Sequence, residues 1–567
     1  MIRTMIRYAA ALTAAIGLGA CDLEVVNPND PETARVLATP NDAEALIGSY
    51  YRRWHDGLYR NLGSFHGMAN MMSLQNYSSL ANNCQNARTP FSGAANENTP
   101  GNVCQGEQQR VYFIHSEVAR VASSFINTLD AGLDLGGARR NARARSFAEF
   151  LRGVSLGYVA LFYDSAAVSA PGMSAVDAGE LVSYEEVMDS ALVALQRSVD
   201  FATQAGDGGV GFPLPAGWIP SPTSFTSVEF KKLVRSYAAR LRANVARNPE
   251  ERAAVDWDAV VLDAQNGITA DHLNTTSTVS GPFYTWLAQY DGVGLWHQMP
   301  PFIIGMGDVS GSYAAWIAQP IGARGQGNTG FTMVTPDLRF PQGATRAAQQ
   351  ADFSWNDCAA PATPCERYFV NRTGSDQFAG ASFGHSNYDF VRFHSWRVSG
   401  DAGQGQNGNI PFFTKAELDM LQAEGHIQNG NFALAAQLIN KTRTAGLVGN
   451  PPVARGGGLP AITADPDAQV PGGPDCVPKV PTGPQGPVVC GDMFEAMKWE
   501  KRIETAYTHF AAWYLDSRGW GDLPLDTPLF WATPYQDLLA RVKPIYGAGR
   551  GVGTAPGSAA PMSHYGW

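Results

Sequence analysis

The strongest constraint on this chain is a helix-start signal that recurs five times. In each case an Asn, Ser, Thr or Asp precedes a glutamate by three residues, a spacing that lets the two satisfy each other's orphan amides in the first turn of a helix. The pairs are Asn41 with Glu44, Ser183 with Glu186, Thr226 with Glu229, Thr414 with Glu417, and Asp492 with Glu495. Apolar stripes with the spacing of one helix face follow, as in Val187, Ala191, Leu195 and Val199, and in Phe230, Leu233, Val234, Tyr237 and Leu241. The same periodicity predicts helices over about 109–130, 147–163 and 257–267. So many local starts specify a mostly α chain.

The helices are expected as hairpins. Residues 415–427 and 432–444 read as two short amphipathic helices joined by Gln428-Asn429-Gly430-Asn431, with Ala416, Ala423, Ala435 and Ala436 where the helices approach closely. Such a unit resembles a tetratricopeptide repeat, in which stacked hairpins bury one continuous core. At 567 residues, with 44% hydrophobic and 16% charged residues, the chain is globular and long enough for a large helical body with insertions. The insertions show as shifts in composition. Residues 271–410 are rich in Gly, Asn, Ser and aromatics with little periodicity, and 448–490 are dominated by Pro and Gly. Ordered loops of this length are usually functional surfaces. The expected organisation is a leader (1–20), a tether (21–40), a tetratricopeptide-like helical region (41–270), a loop-rich ligand-binding region (271–410), a hairpin (411–447), a Pro/Gly-rich loop (448–490) and a C-terminal helical segment (491–567).

The N-terminus carries an export signal. Arg3 and Arg7 form a basic start, residues 8–18 an apolar run, and Gly19-Ala20 a small pair before Cys21. Leu18-Gly19-Ala20-Cys21 looks like a bacterial lipobox, whose cysteine becomes the acylated N-terminus. The formal net charge of −10 becomes −12 once Arg3 and Arg7 leave with the leader, which argues against nucleic acid as a partner. Six cysteines remain, close in sequence as Cys84 and Cys104, Cys358 and Cys365, Cys476 and Cys490. An exported chain with an even count suggests disulfides, and these local pairings are preferred among the possible connectivities. With no histidine nearby at ligand spacing, zinc is the weaker reading.

No catalytic motif stands at a strand-to-helix turn, and no cofactor or metal is implied. His297, His385 and His394 are scattered through the loop-rich region. Glu500-Lys501-Arg502-Ile503-Glu504 places two carboxylates one turn apart, but a solvated or hairpin-packing helix face explains that spacing without chemistry. The aromatics are more informative. Sugars stack their C–H faces on flat rings while amides bond their hydroxyls, so exposed Trp or Tyr beside Asn is the signature of a glycan site. Tyr77 lies near Asn70, Asn76 and Asn82; Tyr284, Trp286, Tyr290, Trp296, Tyr313 and Trp316 fall in a non-periodic stretch. Tyr77, Trp286, Trp296 and Trp316 are the first candidates for ligand contact. Trp54, Trp499 and Trp513 sit on periodic helices and are expected in the core.

Four segments together resemble SusD/RagB outer-membrane lipoproteins. They are Thr39-Pro40-Asn41-Asp42-Ala43-Glu44-Ala45-Leu46 with Tyr50-Tyr51-Arg52-Arg53-Trp54; Ala148-Glu149-Phe150-Leu151-Arg152-Gly153 running to Phe162-Tyr163-Asp164; Ala416-Glu417-Leu418 with Ala423-Glu424 and Ile439-Asn440-Lys441-Thr442-Arg443; and Glu500-Lys501-Arg502-Ile503-Glu504 leading to Leu515-Asp516-Ser517-Arg518. Their order matches the family's over nearly the whole mature chain. The resemblance implies four tetratricopeptide-like hairpins with a loop-rich second region, sitting as a lid on a SusC-like TonB-dependent transporter and binding glycans or peptides without catalysis. Tyr163-Asp164-Ser165-Ala166-Ala167 departs from the family's usual Gly-Asp-Val-Pro type of turn, which marks a divergent branch.

Two other classes remain open at this stage: a surface glycoside hydrolase, which needs two carboxylates converging in a cleft, and a protein-binding scaffold or adhesin. Either way, one residue provides the anchor to the outer membrane. Cys21→Ser is predicted to leave an uncleaved or soluble form, and protease shaving of intact cells should digest the unaltered protein if it faces outward. Full protection from the protease would place it on the inner side of that membrane.

Overall fold

The start signals become caps by a local hydrogen bond. In the computed structural model the side chains of Ser183, Thr226, Thr414 and Asp492 each accept the backbone N–H three residues on, from Glu186, Glu229, Glu417 and Glu495. The glutamate carboxylates of three of these boxes are used elsewhere: Glu229 pairs with Lys232, Glu417 with Arg240 and Glu495 with Lys498. The fifth start is displaced. The first helix opens at Pro40, whose fixed φ suits the first helical position, so Thr39 is the cap and accepts the N–H of Asp42 at 3.3 Å. Asn41 therefore lies inside the helix, and Glu44 reaches Arg140 and Arg143.

The structure describes residues 37, 39–59, 65–76, 97–102, 104–174, 177–277, 282–283, 299–320, 323–324, 331–354, 365–371, 386–392, 408–508 and 511–567. Within them the helices are α1 (Pro40–Tyr59), α2 (Phe65–Met72), α3 (Gln105–Asp130), α4 (Ala138–Phe162), α5 (Tyr184–Ala205), α6 (Ser227–Asn244), α7 (Pro249–Ala253) and α8 (Trp257–Gln265). After the loop-rich stretch, which carries α9 (Pro301–Ile304), α10 (Ser312–Ile317) and α11 (Arg346–Asp352), come α12 (Lys415–Gln428), α13 (Phe432–Arg443), α14 (Met493–Thr505), α15 (Ala512–Trp520) and α16 (Tyr535–Ala540). Helix α4 begins well before the expected 147 because its first turns are rich in arginine, which hides the apolar period. Those arginines are bound: Arg139 donates to the carbonyl of Ala205, and Arg143 to Glu44.

The helices pack as four tetratricopeptide-like hairpins, α1 with α3, α4 with α5, α6 with α8, and α12 with α13, each stacked on the next. Glycines permit the closest approaches. A Cβ at Gly157 would lie 2.4 Å from the side chain of Leu241, and one at Gly425 would lie 2.6 Å from Val261. A first core runs through the first three hairpins and the start of the fourth, with Trp54 at its centre. The strands are short and pair in twos among the described residues. One pair bears on the rest of the fold: β1 (His272–Thr276) runs antiparallel to β2 (Gly408–Phe413) and closes the neck of the stretch between them. That stretch and the C-terminal segment share a second core, built on Phe302, Phe340, Tyr388, Trp499, Trp513 and Trp567. Trp54, Trp499 and Trp513 are buried, as their periodic placement predicts. Among the described residues no helix is long and apolar enough to cross a membrane.

Two histidines lie inside the helical body with an orphaned ring nitrogen. His115 bonds the carbonyl of Trp54 through Nε2 and leaves Nδ1 without a partner; His272 leaves Nε2 without one. Burial pushes both down to about 3, with the like charge of Arg240 adding to the shift at His272. The unfolded chain binds these protons from about pH 6.5, so the stability they contribute is complete above that value and falls as pH drops toward 3. Urea unfolding between about pH 6.5 and 5, above most carboxylate titration, should show stability falling with acidification, and His115→Gln should remove part of that slope. An unchanged slope would show that His115 is not the group responsible.

Candidate ligand-binding face

Helix α14 forms the floor of the second core, and its charged run is enclosed rather than solvated. Arg339 reaches it from the loop-rich stretch and uses all five of its N–H donors. Its Nε and Nη2 hold Asp337 at 2.9 and 2.6 Å, Nη1 holds Glu500 and Glu504 at 2.8 and 3.1 Å, and Nη2 also reaches Glu500 at 3.1 Å. Trp499 donates its indole N–H to Asp337, Tyr368 its hydroxyl to Glu504, and Arg392 pairs with Glu504 at 3.0 Å. Burial works against charge throughout, but at Asp337 the Arg339 guanidinium outweighs it and holds the carboxyl below its usual range. At Glu500 burial prevails over the pull of Arg339 and the carboxyl is raised. The other side of the run is equally occupied: Lys501 holds Asp516 at 2.6 Å, and Arg502 pairs with Asp522.

Of the two expected alternatives, the solvated helix face is therefore corrected, and the run is a packed one. Glu500, Lys501, Arg502 and Glu504 are all essentially inaccessible. The reason is tertiary, since Arg339 meets Glu500 and Glu504 from far back in the chain and Asp516 and Asp522 fold back onto Lys501 and Arg502 from the segment that follows. As an acid/base pair, Glu500 and Glu504 have no route to a substrate in this arrangement. Among the described residues no group of His, Cys, Asp and Glu is placed to hold a metal ion.

Of the four aromatic candidates, Trp316 is described and it is buried. It is 8% exposed, its indole N–H donates to the carbonyl of Arg324 at 3.2 Å, and its ring meets Phe302 edge-on at 4.8 Å. Tyr313 beside it is also buried. Trp316 is thus an anchor of the second core and not a stacking platform; α10 gives it a helical inner face that the short, non-periodic sequence did not reveal. Tyr77, Trp286 and Trp296 lie outside the described residues, as do Tyr284, Tyr290, Asn82, His297, His385, His394 and Cys21.

The described ends of those segments meet on one base. Leu74, Met299, Phe390 and Tyr507 all belong to the second core; Ser386 bonds the carbonyl of Met299, and Tyr507 donates its hydroxyl to that of Gln75. Here also lie unsatisfied amides. Nε2 of Gln75 and both polar side-chain atoms of Asn76 are buried without a hydrogen-bond partner in the structure. Buried orphans of this kind cost about 1–3 kcal/mol each. Asn76 is flagged by its sequence neighbours, whereas Gln75 carries no signal apart from its adjacency. The disulfide Cys476–Cys490 is formed beside the paired strands β3 (Lys479–Pro481) and β4 (Val488–Cys490). Cys104 and Cys365 are disulfide-bonded too, and their expected partners Cys84 and Cys358 lie outside the described residues.

No family model and no curated protein sequence matches the chain. Solved structures do match its fold. A SusD superfamily protein from Bacteroides thetaiotaomicron VPI-5482 aligns with a TM-score of 0.52 at 12% identity, over 88% of this chain and 96% of that one. A SusD-like carbohydrate binding protein from Bacteroides vulgatus ATCC 8482 aligns with a TM-score of 0.50 at 13% identity, over 93% and 94%. A SusD homolog from Bacteroides thetaiotaomicron VPI-5482 aligns with a TM-score of 0.50 at 13% identity, over 88% and 89%. The chain has the SusD fold on a divergent sequence.

The Arg339 network generates a stability prediction. Arg339→Met leaves Asp337, Glu500 and Glu504 buried without their shared cation and should cost about 3–5 kcal/mol in urea unfolding. Arg53→Met, which breaks a half-exposed pair with Glu117, should cost under about 1 kcal/mol. Equal costs for the two variants would mean that the buried network does not hold the second core in place.

Proposed function

We propose that this chain, which has the SusD fold, is a cell-surface lipoprotein that captures an oligosaccharide and hands it to a TonB-dependent outer-membrane transporter. The observation that carries the reading is the fold itself, shared over nearly the full length with a structure described as a SusD-like carbohydrate binding protein. The chemistry of the loop-rich region supports it. Aromatic residues with neighbouring amides are the groups that a neutral sugar polymer needs, and the orphaned amides of Gln75 and Asn76 are suited to bond hydroxyls or ordered water at the edge of the same base. Residues 1–21 supply the export signal and Cys21 the acylation site that would anchor the protein. The engagement of Glu500 and Glu504 in the Arg339 network favours capture over hydrolysis.

In this reading the ligand is held by ring stacking on Trp286, Trp296 and Tyr77. Each platform contributes on the order of 1–3 kcal/mol, so removing one ring should weaken affinity by tens of fold and leave the fold intact. The negative net charge disfavours acidic polymers, and stacking should respond little to salt. The test is calorimetry with neutral glycans, acidic glycans and peptides against the unaltered protein and Ala variants at the three positions. Binding of a neutral glycan that weakens in at least one variant supports the reading. Binding of peptides alone, or appearance of a cleaved product, would overturn it.

A further inference from the structure

The outer face of α5, α6 and α8 carries a furrow that the described residues leave open. At the Tyr184 end a cavity of about 330 Å³ has an apolar floor that includes Met188, Leu192 and Val255, with Glu185, Asp189 and Asp256 at its rim. At the other end a cavity of about 470 Å³ is floored by Val199, Val228 and Leu262 and rimmed by Lys231, Lys232 and Arg235. An ion-pair bridge lies between the two cavities. Arg242 lines the first and donates through Nε to Asp263 at 2.9 Å; Asp263 lines the second and accepts from Arg235, also at 2.9 Å. Leu262 is 59% exposed and Val228 47%, so apolar surface faces solvent beside the basic rim. The furrow is thus acidic at one end, basic at the other and apolar along its floor.

We propose that a second copy of this chain occupies the furrow, forming a two-fold symmetric dimer with the two furrows antiparallel. The charge pattern carries this choice of partner. A two-fold axis through the Arg242–Asp263 bridge sets the basic end of each copy over the acidic end of the other, so the face complements itself, as an isologous interface must. A chain with a net charge of −10 repels its own copies on most approaches, and this furrow offers an orientation in which that repulsion becomes attraction. The area is adequate. Helix α5 has 22 residues and is about 33 Å long, and two helix widths of about 10 Å give roughly 660 Å² per copy, just below the standard interface of about 800 Å². A reversible dimer with a dissociation constant in the micromolar range is expected from such an interface.

The test uses sedimentation velocity on the purified full chain and two charge-reversed forms. Glu185→Lys with Asp189→Lys makes the furrow basic at both ends; Lys231→Glu with Lys232→Glu makes it acidic at both. Each form alone should self-associate at least about tenfold more weakly than the unaltered protein, because like ends now meet. An equimolar mixture of the two should associate at least as tightly as the unaltered protein, since every contact is again of opposite sign. A misfolded variant would not be rescued by mixing, so restoration separates the interface from any folding defect. An unaltered protein that stays monomeric into the hundreds of micromolar, or a mixture that fails to associate, would overturn the proposal.

Discussion

The buried guanidinium of Arg339 is the point on which the second half of the structure depends. One cation satisfies Asp337, Glu500 and Glu504 at once, and so ties the loop-rich stretch to α14 at the centre of the second core. The same device recurs where the hairpins meet. Arg240 of α6 grips Glu417 of α12 in a two-pronged bond, and Arg252 of α7 grips Glu424 about two turns further along the same helix. Such pairs add little net stability over apolar side chains of the same size, because desolvation offsets the attraction. Their effect is on arrangement. A helix that slid by one turn would leave a charge buried without a partner, at a cost of several kcal/mol, so each pair excludes the neighbouring registers.

That rigidity suits a protein that presents a surface. The β1 and β2 strands close the neck of the loop-rich stretch against the helical body, and the second core fills the space beneath it. The described ends of the loop-rich stretch are therefore held at fixed positions. The carboxylates that a hydrolase would need to keep accessible are, in α14, consumed as framework. The helical repeats leave a different resource free, the bipolar furrow on the outer face of α5, α6 and α8, remote in kind from the loop aromatics. Capture and self-association would thus use separate parts of one scaffold.

Much of the helical body is legible in the sequence because its signals are local. A cap acts over three residues and an amphipathic stripe over a few turns; four of the five starts and the hairpin of α12 and α13 follow from those alone. The Cys476–Cys490 link follows likewise from closeness in sequence, since a short loop brings the two thiols together. The displaced start at Thr39 still obeys local physics, since a proline at position 40 outranks an Asn at 41. What the sequence leaves open is which polar and aromatic residues go inside. Glu500 is buried because Arg339, 161 residues away, meets it, and Trp316 because Phe302 and Phe331 close over it. Burial of a charge is favourable only when its counter-charge arrives at hydrogen-bond distance, and that is decided by the packing of distant elements and never by the spacing of neighbours.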